Sequence, residues 1–419
     1  MSTPLSRKAI AVGAIGNILE WYDFAIYGYF ATSIGRVFFP QSDPIAQLLM
    51  AFGIFAIGFL MRPLGGVVIG YIGDRVNRQT ALTVSIVAMA IPTFLVGIMP
   101  SYDAIGIAAP ILLTLCRIIQ GLSVGGEYTT SLIYMIEKAP KNKRGFVGAM
   151  GSSSAFVGML LGSGVGAALG AVLLPEQLDA WGWRIPFLLG LVIGLAGYLL
   201  RRESPGHSNH IAAATMNPVV ETLKNHRQVM AKIAGMSVFL AVSFYLMFVY
   251  IVSWLELVDK IPPSKSLEIN TISMIVLVPV TLLAGAISDR VGRKPVLLTA
   301  LMAAIIFSIP LLYGMYHQSD LVIQLSQIGF ALVVGMFNGA MPALMVETAP
   351  AYIRTTVVAL GYNLTLGIVG GLTPLAASWL IHRTDNEIIP AYMIVAVAAV
   401  SLVAVMFVSE TYKKDILAA

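Results

Sequence analysis

Two acidic residues, Glu20 and Asp23, lie in a segment that is otherwise largely apolar or aromatic, GNILEWYDFAIYG at residues 16–28. Asn17, Glu20, Asp23 and Tyr27 recur at spacings of three and four, so a helix places them on one face. A buried carboxylate favours its protonated form, whereas a neighbouring cation favours the ionised form. The chemistry open to this face is therefore reversible proton binding, or simply the pairing of buried charges.

A second polar series, formed by Arg117, Gln120 and Glu127, recurs at helical spacing in another apolar segment. A guanidinium is a planar donor that stays charged even when buried and can hold two carboxylate oxygens at once. The sequence thus contains a cation that could balance an acid of the first segment, and Glu127 is a further acid that could titrate.

The composition indicates which solvent surrounds these segments. Hydrophobic residues make up 58% of the 419 positions and charged residues 11%, whereas soluble domains average about 25% charged residues. Crossing the hydrocarbon core takes about 20 apolar residues in a helix. Twelve such segments are present, at residues 8–31, 46–72, 80–99, 105–136, 145–173, 184–200, 229–256, 268–287, 295–315, 320–346, 355–381 and 390–409. We therefore predict an all-α integral membrane protein with twelve transmembrane helices in a lipid bilayer.

The heights of Asp23 and Arg117 in the bilayer can be compared. At 1.5 Å per residue, Asp23 lies roughly 22 Å from the start of its helix, and Arg117 roughly 15 Å from the start of a helix that runs the other way. In a hydrocarbon core about 30 Å thick these heights agree to about one turn. An ion pair between Asp23 and Arg117 is therefore feasible.

Positive charge is distributed unevenly between the two sides. Of the 26 lysine and arginine residues, eighteen fall at the termini and in the loops of one side, five in the loops of the other side and three within helices. Because positively charged loops stay in the cytoplasm, we expect a multi-pass protein of the bacterial cytoplasmic (inner) membrane with both termini cytoplasmic. Topology explains the basic charge, so we expect no nucleic-acid partner.

Several kinds of chemistry lack the residues that they need. The single cysteine, Cys116, cannot form an intramolecular disulfide. The sequence contains no evident Ser-His-Asp set, no His/Cys cluster with metal-ligand spacing and no phosphate loop. Glycines at every fourth position of residues 158–170 are typical of close packing between membrane helices. We expect neither an enzyme nor a bound metal or cofactor.

The chain repeats itself. GDRVNRQ at 73–79 returns as SDRVGRK at 288–294, and EKAPKNKRG at 137–145 returns as ETAPAYIRT at 347–355. The repeat predicts two pseudo-symmetric six-helix bundles, at 1–200 and 229–419, joined by a polar linker at 201–228.

Motifs in both halves resemble one transporter family. They are GNILEWYDF, RPLGG at 62–66, GDRVNRQ, CRIIQGLSVGGEY at 116–128, ESP at 203–205, SDRVGRK and GYNLTLGIVGG at 361–371. The chain resembles the metabolite:proton symporters of the major facilitator superfamily. This resemblance implies a monomer that uses the proton gradient and alternates access around a central site. By the same resemblance we favour Asp23, paired with Arg117, as the proton site, with Glu20 as the runner-up and Glu127 as a third candidate.

The resemblance also gives the duplicated loop motifs a role. It implies that they latch neighbouring helices at the cytoplasmic side in the outward-open state. The candidate gating residues are Asp74, Arg75, Glu137, Arg144, Asp289, Arg290, Glu347 and Arg354.

The substrate is the least determined feature. Candidate substrate-binding residues are the deep polar groups Asn17, Tyr27, Arg117, Gln120, Tyr128, Tyr245, Asn338, Tyr362 and Asn363. Because Arg117 supplies a cation, we expect a small di- or tricarboxylate resembling citrate or 2-oxoglutarate. The alternative is a zwitterion such as proline or betaine, whose cationic end could contact tyrosine rings. A membrane sensor that retained the fold without net flux is an alternative from another class.

Overall fold

The computed structural model describes residues 7–40, 43–75, 78–124, 127–202 and 218–413, and every regular element in these ranges is helical. The helices group into twelve spans. Span 1 is Arg7–Tyr29 with Ala31–Phe38; span 2, Pro44–Leu60 and Arg62–Arg75; span 3, Arg78–Ile98; span 4, Ala108–Ser123 and Glu127–Lys138; span 5, Arg144–Val172; span 6, Arg184–Arg202; span 7, Arg227–Tyr245, Leu246–Tyr250 and Ile251–Leu257; span 8, Pro263–Val291; span 9, Arg293–Tyr313; span 10, Asp320–Thr348; span 11, Arg354–Leu364, Thr365–Gly370 and Gly371–Thr384; and span 12, Ile389–Met406. The predicted twelve-helix membrane fold is confirmed.

Length and apolar composition allow most of these spans to cross a bilayer. Within the described ranges, nine helical stretches are long and apolar enough by themselves, and two shorter apolar stretches, Thr83–Ile98 and Ala180–Ala196, fall in spans 3 and 6. A helix suits the hydrocarbon core because its backbone N–H and C=O groups bond to one another within the segment. No water is present there to replace a missing partner. We call the side where spans 1, 3 and 5 begin the basic face, since its loops carry most of the lysines and arginines. The other side is the opposite face.

Spans 1–6 and spans 7–12 form two halves that meet closely along spans 5 and 8. Small residues make this approach possible. A Cβ added to Gly145 of span 5 would lie 2.5 Å from the backbone oxygen of Gly285 in span 8, and one added to Gly285 would lie 2.7 Å from that of Gly145. The domain boundaries at 200 and 229 remain a prediction, and residues 203–217 of the linker lie outside the described ranges.

Span 7 lies at the centre of the molecule. Its most apolar window is 94% buried, against 33% for span 12, so other spans surround it. Spans 7 and 11 each contain a wider π-helical turn, at Leu246–Tyr250 and Thr365–Gly370, and such turns are frequent at functional sites. Tyr245 directly precedes the first turn and Tyr362 lies three residues before the second.

Candidate functional site

Asp23 is buried inside the N-terminal half and accepts hydrogen bonds from three side chains. Arg117 donates from Nη1 to Oδ2 over 3.1 Å, Gln120 donates from Nε2 to Oδ1 over 2.9 Å, and the Thr93 hydroxyl donates to Oδ1. Arg117 is also fully buried, and its guanidinium carbon lies 4.1 Å from the centre of the Tyr27 ring. The structure therefore brings spans 1, 3 and 4 together around one carboxylate.

This arrangement links the protonation of Asp23 to helix packing. When Asp23 is ionised, its charge balances that of Arg117 and the three donors hold it. When Asp23 is protonated, the buried guanidinium loses its counter-ion, which is costly in an apolar interior. Protonation of Asp23 would therefore weaken the connection between span 1 and span 4.

A second buried ion pair lies about one turn away on span 1. Glu20 accepts a hydrogen bond of 2.7 Å from Nη2 of Arg62 in span 2. The Arg62 guanidinium carbon lies 4.6 Å from the centre of the Phe24 ring and 4.5 Å from that of Phe59, with Trp21 at 5.5 Å. Aromatic faces attract a cation in this geometry, so these rings help to stabilise the Arg62 guanidinium in the apolar interior.

A small cavity lies between the two halves. Six of its lining residues are aromatic, and the complete lining is Trp21, Tyr128, Ala155, Phe156, Leu240, Ala241, Phe244, Tyr245, Asn338, Tyr362 and Leu366. We call this the solute cavity. Its rings also pack on one another: Tyr128 stacks on Tyr362 with ring centres 5.5 Å apart, and Phe156 stacks on Phe244 at 5.0 Å.

Two polar atoms of the lining residues are available to a ligand. Among the described residues, neither the indole Nε1 of Trp21 nor the hydroxyl of Tyr245 has a hydrogen-bond partner, although both are buried. Buried polar groups are normally paired because leaving one unpaired costs about 1–3 kcal/mol. Arg62, which contacts the Trp21 ring, likewise has an unpartnered Nε within this part of the chain. Each of these groups can donate a hydrogen bond, so an acceptor such as a carboxylate could pair with them.

The predicted substrate-binding residues divide into two groups. Tyr128, Tyr245, Asn338 and Tyr362 line the solute cavity. The others do not. Arg117 and Gln120 belong to the Asp23 cluster, the Tyr27 hydroxyl donates to the backbone oxygen of Ala51 over 2.9 Å, Asn17 donates to Ser154 over 3.1 Å, and Asn363 is half-buried outside the lining.

Several residues of these sites were not predicted. Trp21, Phe156 and Phe244 provide half of the aromatic wall, and Thr93 completes the Asp23 cluster. Trp21 could have been recognised from the sequence, because it lies between Glu20 and Asp23, the two acidic residues of an otherwise largely apolar segment. An isolated phenylalanine or threonine in a membrane helix cannot be recognised in this way, because most such residues only pack against their neighbours.

Asp289, at the end of span 8, holds the start of span 5 in the other half. Its two oxygens accept the backbone N–H groups of Gly145 over 2.8 Å and Phe146 over 2.9 Å. The first N–H groups of a helix have no partner inside that helix, so Asp289 caps span 5 from across the interface. Arg293 donates to the same carboxylate over 2.7 Å, whereas the predicted Arg290 is exposed.

Two other predicted gating residues form an ion pair across the basic face. Arg354 of span 11 forms an ion pair with Glu137 of span 4, so this ion pair joins the two halves. Glu347 is bound by Arg293, with Nη2 3.2 Å from Oε1, and Arg144 is buried at the start of span 5. The side chains of Asp74, Arg75 and Glu127 lie outside the described part of the structure.

The segment after span 12 packs onto this latch. Glu410 accepts the backbone N–H groups of Arg293 over 3.0 Å and Lys294 over 2.9 Å at the start of span 9. Burial by itself would raise the pKa of Glu410, but these bonds and those from Thr411 and Tyr412 outweigh it, so the pKa lies below its ordinary value. An anion at a helix N-terminus is favoured in the same way.

Contacts also close the opposite face. The Thr32 hydroxyl of span 1 donates to Glu256 of span 7 over 2.6 Å, and a Cβ on Gly170 of span 5 would lie 2.1 Å from the Cβ of Ser264 in span 8. The halves therefore touch at both faces, whereas the resemblance implied that the latches act when the outer side is open.

Comparison with known proteins shows which family this chain belongs to. The Sugar (and other) transporter family model matches residues 9–213, and the Major Facilitator Superfamily model matches residues 262–417. The glycine betaine/proline/ectoine/pipecolic acid transporter OusA of Dickeya dadantii is 35% identical over 98% of this chain and 84% of its own length. The chain belongs to the major facilitator superfamily.

Two further relatives are similar to this chain over nearly its whole length. The proline/betaine transporter of Escherichia coli K12 is 34% identical over 98% of this chain and 85% of its own length. A putative proline/betaine transporter of Staphylococcus aureus is 34% identical over 96% of this chain and 88% of its own length. These proteins are transporters, which confirms that the chain is a transporter of this superfamily and not an enzyme.

Solved structures of the superfamily share the fold. The crystal structure of a D-xylose–proton symporter superposes with a TM-score of 0.78 at 20% identity, covering 97% of this chain and 99% of that one. The inward-open xylose transporter XylE of E. coli gives a TM-score of 0.74 at 19% identity, with 97% of each chain covered. At this identity the likeness concerns the fold alone.

The expectation of a citrate- or 2-oxoglutarate-like substrate is wrong. The full-length relatives are named proline/betaine transporters, which agrees with the alternative of a zwitterion. The expectation depended on Arg117 as a free cation. Asp23 occupies that guanidinium, and Arg117 does not line the solute cavity.

Proposed function

We propose that this superfamily member is a proton-coupled symporter for a small zwitterion, of the proline or glycine betaine type. The observation that carries this proposal is the aromatic wall of the solute cavity. Aromatic faces attract ammonium groups, and cages of such rings bind quaternary ammonium ligands. The names of the relatives support the same solute class.

The carboxylate of such a solute also finds partners. Trp21 Nε1 and the Tyr245 hydroxyl are donors without a partner among the described residues, and Arg62 lies directly behind the Trp21 ring. A zwitterion brings no net charge into this apolar space. A citrate-like anion would bring several negative charges, and burying charge without matched partners is costly.

Asp23 is the proton carrier in this proposal, and Arg117 is its switch partner. Proton binding releases Arg117 and loosens the connection between spans 1 and 4. Glu20 remains the runner-up, since it forms a second buried ion pair on span 1, with Arg62. The proton step lies within the N-terminal half, while both halves contribute to the solute cavity.

We further propose that the bundles at 1–200 and 229–419 rock about the solute cavity, with the linker at 201–228 between them. The basic face is the cytoplasmic side of a bacterial inner membrane, and both termini lie there. Asp289, Glu137, Glu347 and Arg354 form the gate at that face. One chain encloses the solute cavity, which supports action as a monomer.

A binding experiment tests the solute class. Glycine betaine and proline should raise the melting temperature of the purified protein, whereas citrate and 2-oxoglutarate should not. Phe244→Leu removes one ring of the wall, and a cation–π contact is worth about 0.5–2 kcal/mol, so we expect the Kd for glycine betaine to rise about two- to thirtyfold.

Phe239→Leu is the matched control. It makes the same change on the same span at a residue that is equally buried, packs edge-to-face against Phe337 and does not line the solute cavity. Its Kd should stay within about twofold of the wild type. Binding of citrate or 2-oxoglutarate without binding of either zwitterion would contradict the proposal.

A further inference from the structure

A second small cavity lies inside the N-terminal half. We propose that it is the path by which Asp23 exchanges its proton with water at the basic face, separate from the path of the solute. We call it the proton cavity. This inference rests on the proposed proton-coupled function and adds a route and the residues that form it.

The lining of the proton cavity contains the groups that such a route needs. Both acids of span 1, Glu20 and Asp23, border it together with the hydroxyl residues Ser85, Thr93 and Ser123. Carboxylates and hydroxyls bind water and can hand a proton from one molecule to the next. The other lining residues come from spans 1, 3, 4 and 6, so the space lies entirely within one half.

The proton cavity and the solute cavity share no lining residue. Span 1 is the wall between them: Trp21 borders the solute cavity, whereas its neighbours Glu20 and Tyr22 border the proton cavity. Water can therefore reach Asp23 without entering the solute cavity. The aromatic rings of the solute cavity can exclude water from the solute and still leave the path of the proton to Asp23 open.

The proton cavity extends from Asp23 towards the basic face. Thr93, which donates to Asp23, and Ser85 are eight residues apart on span 3, or about 12 Å. Span 3 begins at the basic face with Arg78, seven residues before Ser85. The Ser85 hydroxyl donates to the backbone oxygen of Ser123 over 2.6 Å, so span 4 borders the same end.

The proton balance of the step is simple. The carboxyl O–H bond of Asp23 breaks, its proton passes to a water molecule in the cavity, and the carboxylate remains bound by Arg117, Gln120 and Thr93. The charged and titratable groups around this carboxyl are Arg117, the Glu20–Arg62 pair, Tyr22, Tyr27 and Cys116. Arg117 favours release because it stabilises the ionised form.

Filling each cavity in turn separates the two routes. Ala90 lines the proton cavity and Ala241 lines the solute cavity, so Ala90→Leu and Ala241→Leu make the same change in each. For Ala90→Leu we expect glycine betaine binding and solute exchange within about twofold of the wild type, because exchange needs no deprotonation. Accumulation driven by a pH gradient should fall at least about tenfold, or about 1.4 kcal/mol. Ala241→Leu should lose binding and exchange as well.

A second variant avoids the risk that the added leucine prevents folding. Ser85→Cys in a Cys116→Ala background changes little volume, and the folded protein can then be treated with a charged, membrane-impermeant thiol reagent from the basic face. Labelling should abolish proton-driven accumulation and leave exchange intact.

Three results would overturn the route. They are wild-type accumulation by Ala90→Leu, wild-type accumulation after complete labelling at position 85, and absence of labelling from the basic face. Failure of the proposed function would look different, because the wild type would then bind no zwitterion or move it without protons.

Discussion

Replacing Asp289 by asparagine should open the basic face. The aspartate offers two oxygens to the N–H groups of Gly145 and Phe146 and a negative charge to the start of span 5. Asparagine has one acceptor oxygen, so one N–H group loses its partner and the charge is removed. A hydrogen bond to a charged group contributes about 1.5–3 kcal/mol and an anion at a helix N-terminus about 0.3–1 kcal/mol. Because water can replace part of the lost hydrogen bonding, we expect the closed basic face to be destabilised by a net cost of about 2 kcal/mol. This corresponds to about a thirtyfold shift of population towards the open basic face.

A buried cysteine reports this shift. Ser152 of span 5 is 2% exposed and lies beside Tyr128, with 3.3 Å between their hydroxyl oxygens. Ser152→Cys in a Cys116→Ala background should react with a maleimide only when the basic face opens. The alkylation rate should rise about thirtyfold when Asp289→Asn is added.

Asp320→Asn is the matched control, because the side chain of Asp320 is 72% exposed and its nearest cation, Lys265, is 3.9 Å away. It should leave the rate unchanged. An Asp289→Asn protein that is alkylated at the rate of its parent would refute the assignment of Asp289 to the latch.

The remaining predictions concern the proton site and the C-terminal segment. Asp23→Asn should lower pH-driven accumulation at least about tenfold while solute exchange persists; wild-type accumulation would move the proton site to Glu20. Arg117→Lys should lower uptake by a similar factor and shift its pH optimum, because lysine lacks the planar fork and can lose its proton when buried; an unchanged pH profile would make Arg117 a purely structural cation. Glu410→Gln should lower the melting temperature at neutral pH. The depressed pKa of Glu410 means that its stabilisation is complete above the ordinary glutamate pKa and is lost as the pH falls through the folded value. Thermal melts from neutral to acidic pH check this, and identical curves for variant and wild type would contradict it.

The fold could be predicted from the sequence because a bilayer imposes simple rules. Each span must be about 20 apolar residues long, and the duplicated motifs at 73–79 and 288–294 reveal the two halves directly. The π-helical turns in spans 7 and 11 could not be predicted, since they depend on packing between spans and not on local composition.

The candidate site was only partly predictable. Helix periodicity and depth made a pair of Asp23 and Arg117 feasible, because both are charges that need a partner in hydrocarbon, and the family resemblance selected that pair. The solute cavity combines Trp21 and Phe156 with Phe244 from the other half. No periodicity within one helix shows which rings of two halves face each other, and this is why the substrate prediction depended on Arg117 and was wrong.

Proton movement during solute uptake tests the central claim most directly. Glycine betaine or proline is added to weakly buffered proteoliposomes without an imposed ion gradient, and the external pH is recorded. We predict that either solute makes the external medium more alkaline as a proton enters with it, that citrate does not, and that Asp23→Asn abolishes the signal. Solute uptake without any change of pH, or a change of pH with citrate alone, would contradict the account.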